Sequence, residues 1–249
     1  MTLLLTSAGL AVIAALFAAL GLGGAVVYVP LLATLGHPLA TVAIPLGLLL
    51  NTLTSGRALA ACLPHGWVDW RGLWPLAATT AASALAGAQL TDLIPPGELE
   101  AGLGLLLLAV AGWTLWRGEG HGAASLARAP AARRRWLSGG IGVGTGLLSG
   151  LFGIGGGVLI GPLLLGLGYS SRRAAGSTAL MSCTTSAAAF LGHLPRFQAP
   201  WTLTAAAVGA VLAGSTAGAL WLRRTRRSHW VPLGYAALVA ALGLRMLAA

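Results

Sequence analysis

Charge is the scarcest property of this 249-residue chain, since Asp, Glu, Lys and Arg together make up 8% of it. Soluble domains carry about 25%. So few charges cannot cover a water-facing surface, which excludes an ordinary soluble enzyme or binding domain. Lysine is absent, so all 15 basic side chains are arginine, and the five acids are Asp69, Asp92, Glu98, Glu100 and Glu119. None of those acids falls in the middle of an apolar run, which argues against a carboxylate proton relay or a cation pump. The two cysteines, Cys62 and Cys183, lack any CxxC or His–Cys spacing, so neither a metal site nor a redox motif is expected. Both read as buried, apolar-like thiols. No nucleophile–base pair is present, no cofactor is implied, and a membrane-embedded enzyme has nothing to support it. Gly153-x-Gly155-x-Gly157 lacks the strand–turn–helix setting and ribose-binding acid of a dinucleotide site. No basic stretch precedes the first apolar run, so a cleavable signal peptide is not expected.

What the chain has is apolar length. Hydrophobic residues make up 57% of it, and a bilayer-spanning helix takes about 20 of them. Eight main segments can be drawn: 2–20 (with a shorter piece, 25–35, behind it), 39–63, 73–90, 99–116, 137–152 (followed by 158–167), 174–194, 201–222 and 231–247. The fold class is therefore an all-α polytopic membrane protein. All nine tryptophans lie near segment ends, as an interfacial aromatic belt would place them. The net charge of +10 does not indicate nucleic acid, because the arginines cluster between apolar runs, where the positive-inside rule puts them.

The chain also repeats itself. Gly21–Leu32 aligns without a gap on Gly153–Leu164, and Ala86-Gly87-Ala88 falls opposite Ala217-Gly218-Ala219. The expected organisation is a first repeat, 1–116, an Arg-rich linker, 117–136, and a second repeat, 137–249. Arginine placement tests the topology. If every segment crosses once, the linker arginines and the 223–227 cluster fall on opposite sides. If each glycine break turns the chain back, 13 of the 15 arginines share one face, leaving Arg196 and Arg245 on the other. The second arrangement satisfies the positive-inside rule. Each half is then a broken hairpin plus three crossings, an odd number, so the repeats are inverted. The linker and loop 223–230 are cytoplasmic, both termini lie outside, and the setting is a bacterial inner membrane. Parity leaves open whether the hairpin arms are re-entrant or full crossings.

Paired Gly/Pro interruptions at matching positions are the sequence mark of a transporter site near the midplane. Gly23, Gly24 and Ala25 with Pro30, and Gly155, Gly156 and Gly157 with Pro162, are the two candidates. Restarting helices present N–H groups with positive partial charge, which favour anions, and the prolines suit a first helical turn. Gly140, Gly142, Gly144, Gly146 and Gly150 read instead as packing glycines. Polar residues follow both breaks: Asn51, Thr52 and Ser55 in the first half, Ser182, Cys183 and Ser186 in the second. They can ligate an oxyanion or bond helix carbonyls, and both readings stand. Arg57, inside an apolar run, is either an anion counter-charge or a side chain snorkelling to the near surface. His37 and His193, at segment ends, are weak candidates for proton coupling.

At the breaks the chain resembles the sulfite exporter TauE/SafE family. The resemblance is carried by Gly150-Leu151-Phe152-Gly153-Ile154-Gly155-Gly156-Gly157 with Pro162, by Arg173-Ala174-Ala175-Gly176-Ser177-Thr178, by the weaker Gly23-Gly24-Ala25 with Pro30, and by Gly66-Trp67-Val68-Asp69. Gln198-Ala199-Pro200-Trp201 departs from that last pattern. The resemblance implies transport, by export, of sulfur-containing anions such as sulfite or organosulfonates. The expected function is thus a secondary transporter of small anions working by alternating access, whose partners are its anion and the lipid bilayer; a homo-oligomer is compatible with the sequence. An anion channel-like facilitator and a non-transporting, partner-binding membrane protein are the alternatives.

Overall fold

A computed structural model describes residues 2–20, 23–117, 131–222 and 230–247. They form ten α-helices: α1 (Thr2–Leu20), α2 (Ala25–Thr34), α3 (Ile44–Cys62), α4 (Trp70–Leu90), α5 (Pro96–Arg117), α6 (Ala131–Phe152), α7 (Gly157–Gly166), α8 (Ser171–His193), α9 (Trp201–Leu222) and α10 (Trp230–Leu247). No strand occurs among the described residues, so the all-helical expectation holds. The helices extend into both ends of the expected linker: α5 reaches Arg117 and α6 starts at Ala131, which places Arg133, Arg134 and Arg135 on a helix. Residues 118–130 and the arginines of 223–227 lie outside the described residues.

Local chemistry sets the boundaries. A π-helical turn, Leu39–Ala43, leads into α3, which has a proline in its first turn. The chain leaves α3 through a 3₁₀ turn and Gly66, and α4 starts where the Asp69 carboxylate accepts the Gly72 N–H at 2.9 Å, an N-cap bond. Helices α2 and α7 have ten residues each. At 1.5 Å per residue each is about 15 Å long, half the roughly 30 Å of a hydrocarbon core. Pro30 is not in a first turn as expected. The helix restarts directly after the glycines, so Pro30 lies inside α2 and cannot donate to the Val26 carbonyl one turn back. Pro162 holds the same sixth position in α7.

Small residues fix helix directions. Gly142, Gly146 and Gly150 of α6 lie against Leu76, Thr80 and Ala84 of α4 in rising order, so these two helices run parallel. Gly214 and Gly218 of α9 meet Ala11 and Ala15 of α1 in the same way. Close backbone approach at small residues is how helices associate in lipid. Gly140 and Gly144 face open space, so they are not packing glycines. Helices α3 and α8 are antiparallel: Asn51 meets Ser186, Gly56 meets Cys183, and Cys62 meets Gly176. They sit at the centre. α3 is flanked by α1, α2 and α9, and α8 by α4, α6 and α7, while α5 packs on α10. Exchanging the halves reproduces the main pairings, down to Gly87 on Leu147 and Gly218 on Ala15.

The core centres on α2 and α3, with Leu10, Tyr28, Leu32, Ile44, Leu46, Leu48 and Leu50 fully buried and Leu103 and Leu107 of α5 joining them. A smaller cluster, Leu73, Leu76, Ile160, Leu164, Ala174 and Met181, packs α7 and α8 on α4. Large apolar side chains also point outward, including Val12, Trp74, Leu105 and Trp201. Among the described residues, two stretches, Leu39–His65 and Trp201–Gly218, are long and apolar enough by themselves to cross a membrane.

Candidate functional site

The two breaks meet between α3 and α8. At Gly23 the backbone has φ +73°, and at Gly155 φ +76°, a left-handed conformation that costs an L side chain about 1–2 kcal/mol. Space forbids a side chain as well. A Cβ on Gly23 would strike the Asn51 carboxamide oxygen and sit 2.7 Å from Ser182 Oγ; one on Gly155 would strike Asn51 Nδ2 and sit 2.9 Å from Ala25 Cβ. The glycines therefore let both breaks press onto the same pair of polar side chains.

Asn51 is the hub. Its Oδ1 accepts the Ala25 N–H at 3.0 Å, satisfying a donor at the start of α2. Its Nδ2 donates to Ser186 Oγ at 2.6 Å and to Ser182 Oγ at 3.1 Å. Ser182 passes the chain on, donating to the Gly155 carbonyl at 2.8 Å. One carboxamide and one hydroxyl thus connect break one to break two across the halves. Asn51, Ser182 and Ser186 are all buried, as are the breaks themselves from Gly23 to Pro30 and from Gly153 to Val158. Burial makes each of these bonds costly to lose, because an unsatisfied buried polar group costs about 1–3 kcal/mol.

The other expected residues separate into two groups. Ser55 and Thr52 stay on α3, donating to the Asn51 carbonyl at 2.5 Å and the Leu48 carbonyl at 2.8 Å, as glue within their own helix. Cys183 is half-buried beside Gly56 and Ser55, its Sγ 3.7 Å from the Thr52 carbonyl. Gly156 and Gly157 are buried at the second break, where Gly156 faces Thr185. Arg57 is not at the breaks: it is exposed and donates to Thr216 Oγ1 of α9 at 2.9 Å.

The histidines differ from each other. His37 is half-buried in the turn after α2. His193 is buried at the end of α8. Its Nε2 lies 2.7 Å from the Gly150 carbonyl, so that nitrogen donates, and Nδ1 accepts from Arg196 at 3.1 Å. Arg196 also pairs with Asp92 at 2.6 Å and donates to the Ala88 carbonyl at 2.8 Å, which ties α8 to the end of α4.

Sequence reasoning missed two features. Tyr28 shares a 3.0 Å hydrogen bond with Thr54 behind the first break, and Thr185 donates to Thr80 at 3.2 Å. A tyrosine inside an otherwise apolar run was the available signal for the first, since a buried phenol needs a partner.

The profile described as "Sulfite exporter TauE/SafE" matches residues 5–246. A protein named "Probable membrane transporter protein y4hK" from Sinorhizobium fredii is 32% identical over 248 residues, covering 95% of this chain and 94% of its own. No solved structure matches. A whole-length family match joined to an apolar helical bundle with paired breaks makes this a membrane transporter and not an enzyme: the chain belongs to the sulfite exporter TauE/SafE family.

Proposed function

We propose that the protein is a secondary transporter that exports small sulfur-containing anions such as sulfite or organosulfonates, by alternating access of two inverted repeats around the paired breaks. The observation that carries this reading is the buried Asn51–Ser182–Ser186 cluster, which joins both breaks through uncharged donors. Hydroxyl, amide and backbone N–H groups at helix starts suit an oxyanion. The closed packing around the cluster favours alternating access over a channel-like facilitator, since Gly23, Gly155 and Asn51 fill the space between α3 and α8.

Helix directions support the inverted arrangement. α1 runs parallel to α9 and α6 parallel to α4, while α2 returns antiparallel along α3, with Ala25 beside Asn51 and Val29 beside Gly47. Each broken element then enters and leaves by one side, and its ten-residue arm is re-entrant. Arg71, Arg172 and Arg173 share one end of the bundle with Cys62 and Gly66; Arg196 and Arg245 share the other with Asp92 and Thr34. By the positive-inside rule the first, linker end is cytoplasmic and the termini are outside, in the inner membrane.

A thermal-shift screen of the purified protein against sulfite, thiosulfate, sulfonates, carboxylates and phosphate tests the cargo. A bound anion raises stability as RT ln(1 + [L]/Kd), and sulfur oxyanions should raise it most. If no anion stabilises the protein while Gly156→Leu leaves uptake and export intact, the anion site is wrong.

A further inference from the structure

The two ends of the α3–α8 interface are built from matching segments, and the match continues past the breaks. Gly36 and Gly168, 132 residues apart like Gly21 and Gly153, both turn with positive φ, +85° and +88°. At the linker end, the loop after α3 docks on the start of α8. The Tyr169 hydroxyl donates to Asp69 Oδ2 at 2.7 Å, and the Asp69 N–H donates to Ser177 Oγ at 3.2 Å. The Arg172 guanidinium lies 5.5 Å over the Trp67 ring, which His65 also stacks against at 4.6 Å. Gly176 admits the Trp67 carbonyl, since a Cβ there would stand 2.7 Å from it. The Tyr169 hydrogen bond, then the Gly72 N–H and last the nearby Arg173 charge hold the Asp69 carboxyl below the ordinary aspartate range.

At the far end the same pair of segments, with the halves exchanged, carries a backbone bond, from Gln198 N–H to the Thr41 carbonyl at 3.0 Å. The residues corresponding to Trp67, Asp69, Tyr169, Arg172 and Ser177 are Ala199, Trp201, His37, Ala40 and Pro45. Carboxylate, phenol, guanidinium and hydroxyl are all missing there. The Arg196 cluster at that end ties α8 to α4 and leaves the start of α3 alone.

We propose that Asp69, Tyr169, Ser177 and the Arg172–Trp67 contact form a latch between the halves that holds the linker end of the α3–α8 interface shut, and that its release is the step exposing the Asn51 cluster to that side. The latch rests on the alternating-access reading but not on the identity of the cargo. The C-terminal half of α3 and the N-terminal half of α8 lead from the linker end to Asn51, and these contacts join the two at that end. Closure of the α3–α8 pair itself is therefore unequal, with side chains and backbone engaged at the linker end and the Gln198 bond at the other, where Arg196, Gln89 and Thr91 instead join the halves through α4.

Cys183 is a built-in reporter, half-buried on α8 next to Ser182. In a Cys62→Ala background, its labelling by a charged, membrane-impermeant methanethiosulfonate is followed from the linker side in inside-out vesicles and from the other side in right-side-out cells. Tyr169→Phe should speed linker-side labelling several-fold, and Asp69→Asn with Ser177→Ala should speed it about tenfold, the change in population that about 1.4 kcal/mol produces. Far-side labelling should not rise. Gln198→Pro, which removes the opposing N–H donor, should speed far-side labelling alone. The latch is overturned if Tyr169→Phe and the double variant, purified monodisperse and with wild-type unfolding temperature, label at the wild-type rate. It is equally overturned if they label faster from both sides alike, which would mean general loosening. Faster linker-side labelling without stabilisation by any anion would keep the latch and remove the cargo.

Discussion

Replacing Asn51 with leucine, a side chain of similar size that can neither donate nor accept, should separate the two breaks energetically. In the wild type the carboxamide accepts the Ala25 N–H and donates to Ser186 and Ser182, all out of water. In the variant Ser182 keeps the Gly155 carbonyl as acceptor, but the Ala25 N–H and the Ser186 hydroxyl lose the partner they have. Two orphaned buried groups cost about 1–3 kcal/mol each, or about 2–6 kcal/mol together. For a chain of this length each kcal/mol moves the midpoint by about 2–4 °C, so Asn51→Leu should unfold about 10 °C below wild type in a detergent-solubilised thermal melt. It should also lose the stabilisation given by whichever anion raises the wild-type midpoint. Thr52→Val is the control one residue away, because its hydroxyl bonds the Leu48 carbonyl of its own helix, and it should shift the midpoint by less than about 3 °C. An Asn51→Leu protein that melts with the wild type and still responds to anions would refute the hub.

Three further outcomes follow from the same geometry. Gly155→Ala places a methyl in a left-handed backbone and against the Asn51 carboxamide, and should destabilise by at least about 2 kcal/mol. Gly144→Ala, in a helix with open space beside it, should be neutral or stabilise by up to about 1 kcal/mol in the same melt; equal effects at the two sites would contradict the packing described. Arg57→Gln should leave the affinity of any stabilising anion within about twofold of wild type, as expected of a side chain bonded to Thr216 away from the breaks; a tenfold loss, read by titration, would return Arg57 to the binding site. Because the Asp69 carboxyl is depressed below its ordinary value, its contribution is complete above about pH 4 and disappears as pH falls through the lower folded value. Linker-side labelling of Cys183 should therefore be flat between about pH 5 and 8 and rise only in stronger acid. A rise between pH 5 and 8 that Asp69→Asn abolishes would contradict this.

How much of this could be read from the chain depended on whether the feature was local. The breaks were legible because glycine and proline interrupt apolar runs at matching positions, and Asn51, Ser182 and Ser186 stood out as polar residues in apolar surroundings. Their bonding was not legible. Asn51 and Ser186 lie 135 residues apart, and no spacing rule reports which hydroxyl a carboxamide will meet. Gly142, Gly146 and Gly150 shared one face with their neighbour α4, while Gly140 and Gly144 did not, a distinction that only the partner helix makes. His193 was legible only as a segment-end residue, and its enclosure by the end of α6 and Arg196 comes from contacts across the fold.

By itself the sequence determined that the chain is an apolar helical bundle with two related, glycine-broken halves and arginine segregated between its segments. Composition and periodicity act along the chain, and the bilayer's intolerance of unpaired backbone leaves helices as the solution. Only the tertiary structure decided that both breaks close on one carboxamide and that Arg57 stands apart from them. It also decided that the Asp69, Tyr169 and Ser177 contacts gather at the linker end of the α3–α8 pair. Those outcomes depend on contacts across the halves, where the antiparallel packing of α3 against α8 selects which polar groups come within hydrogen-bonding distance.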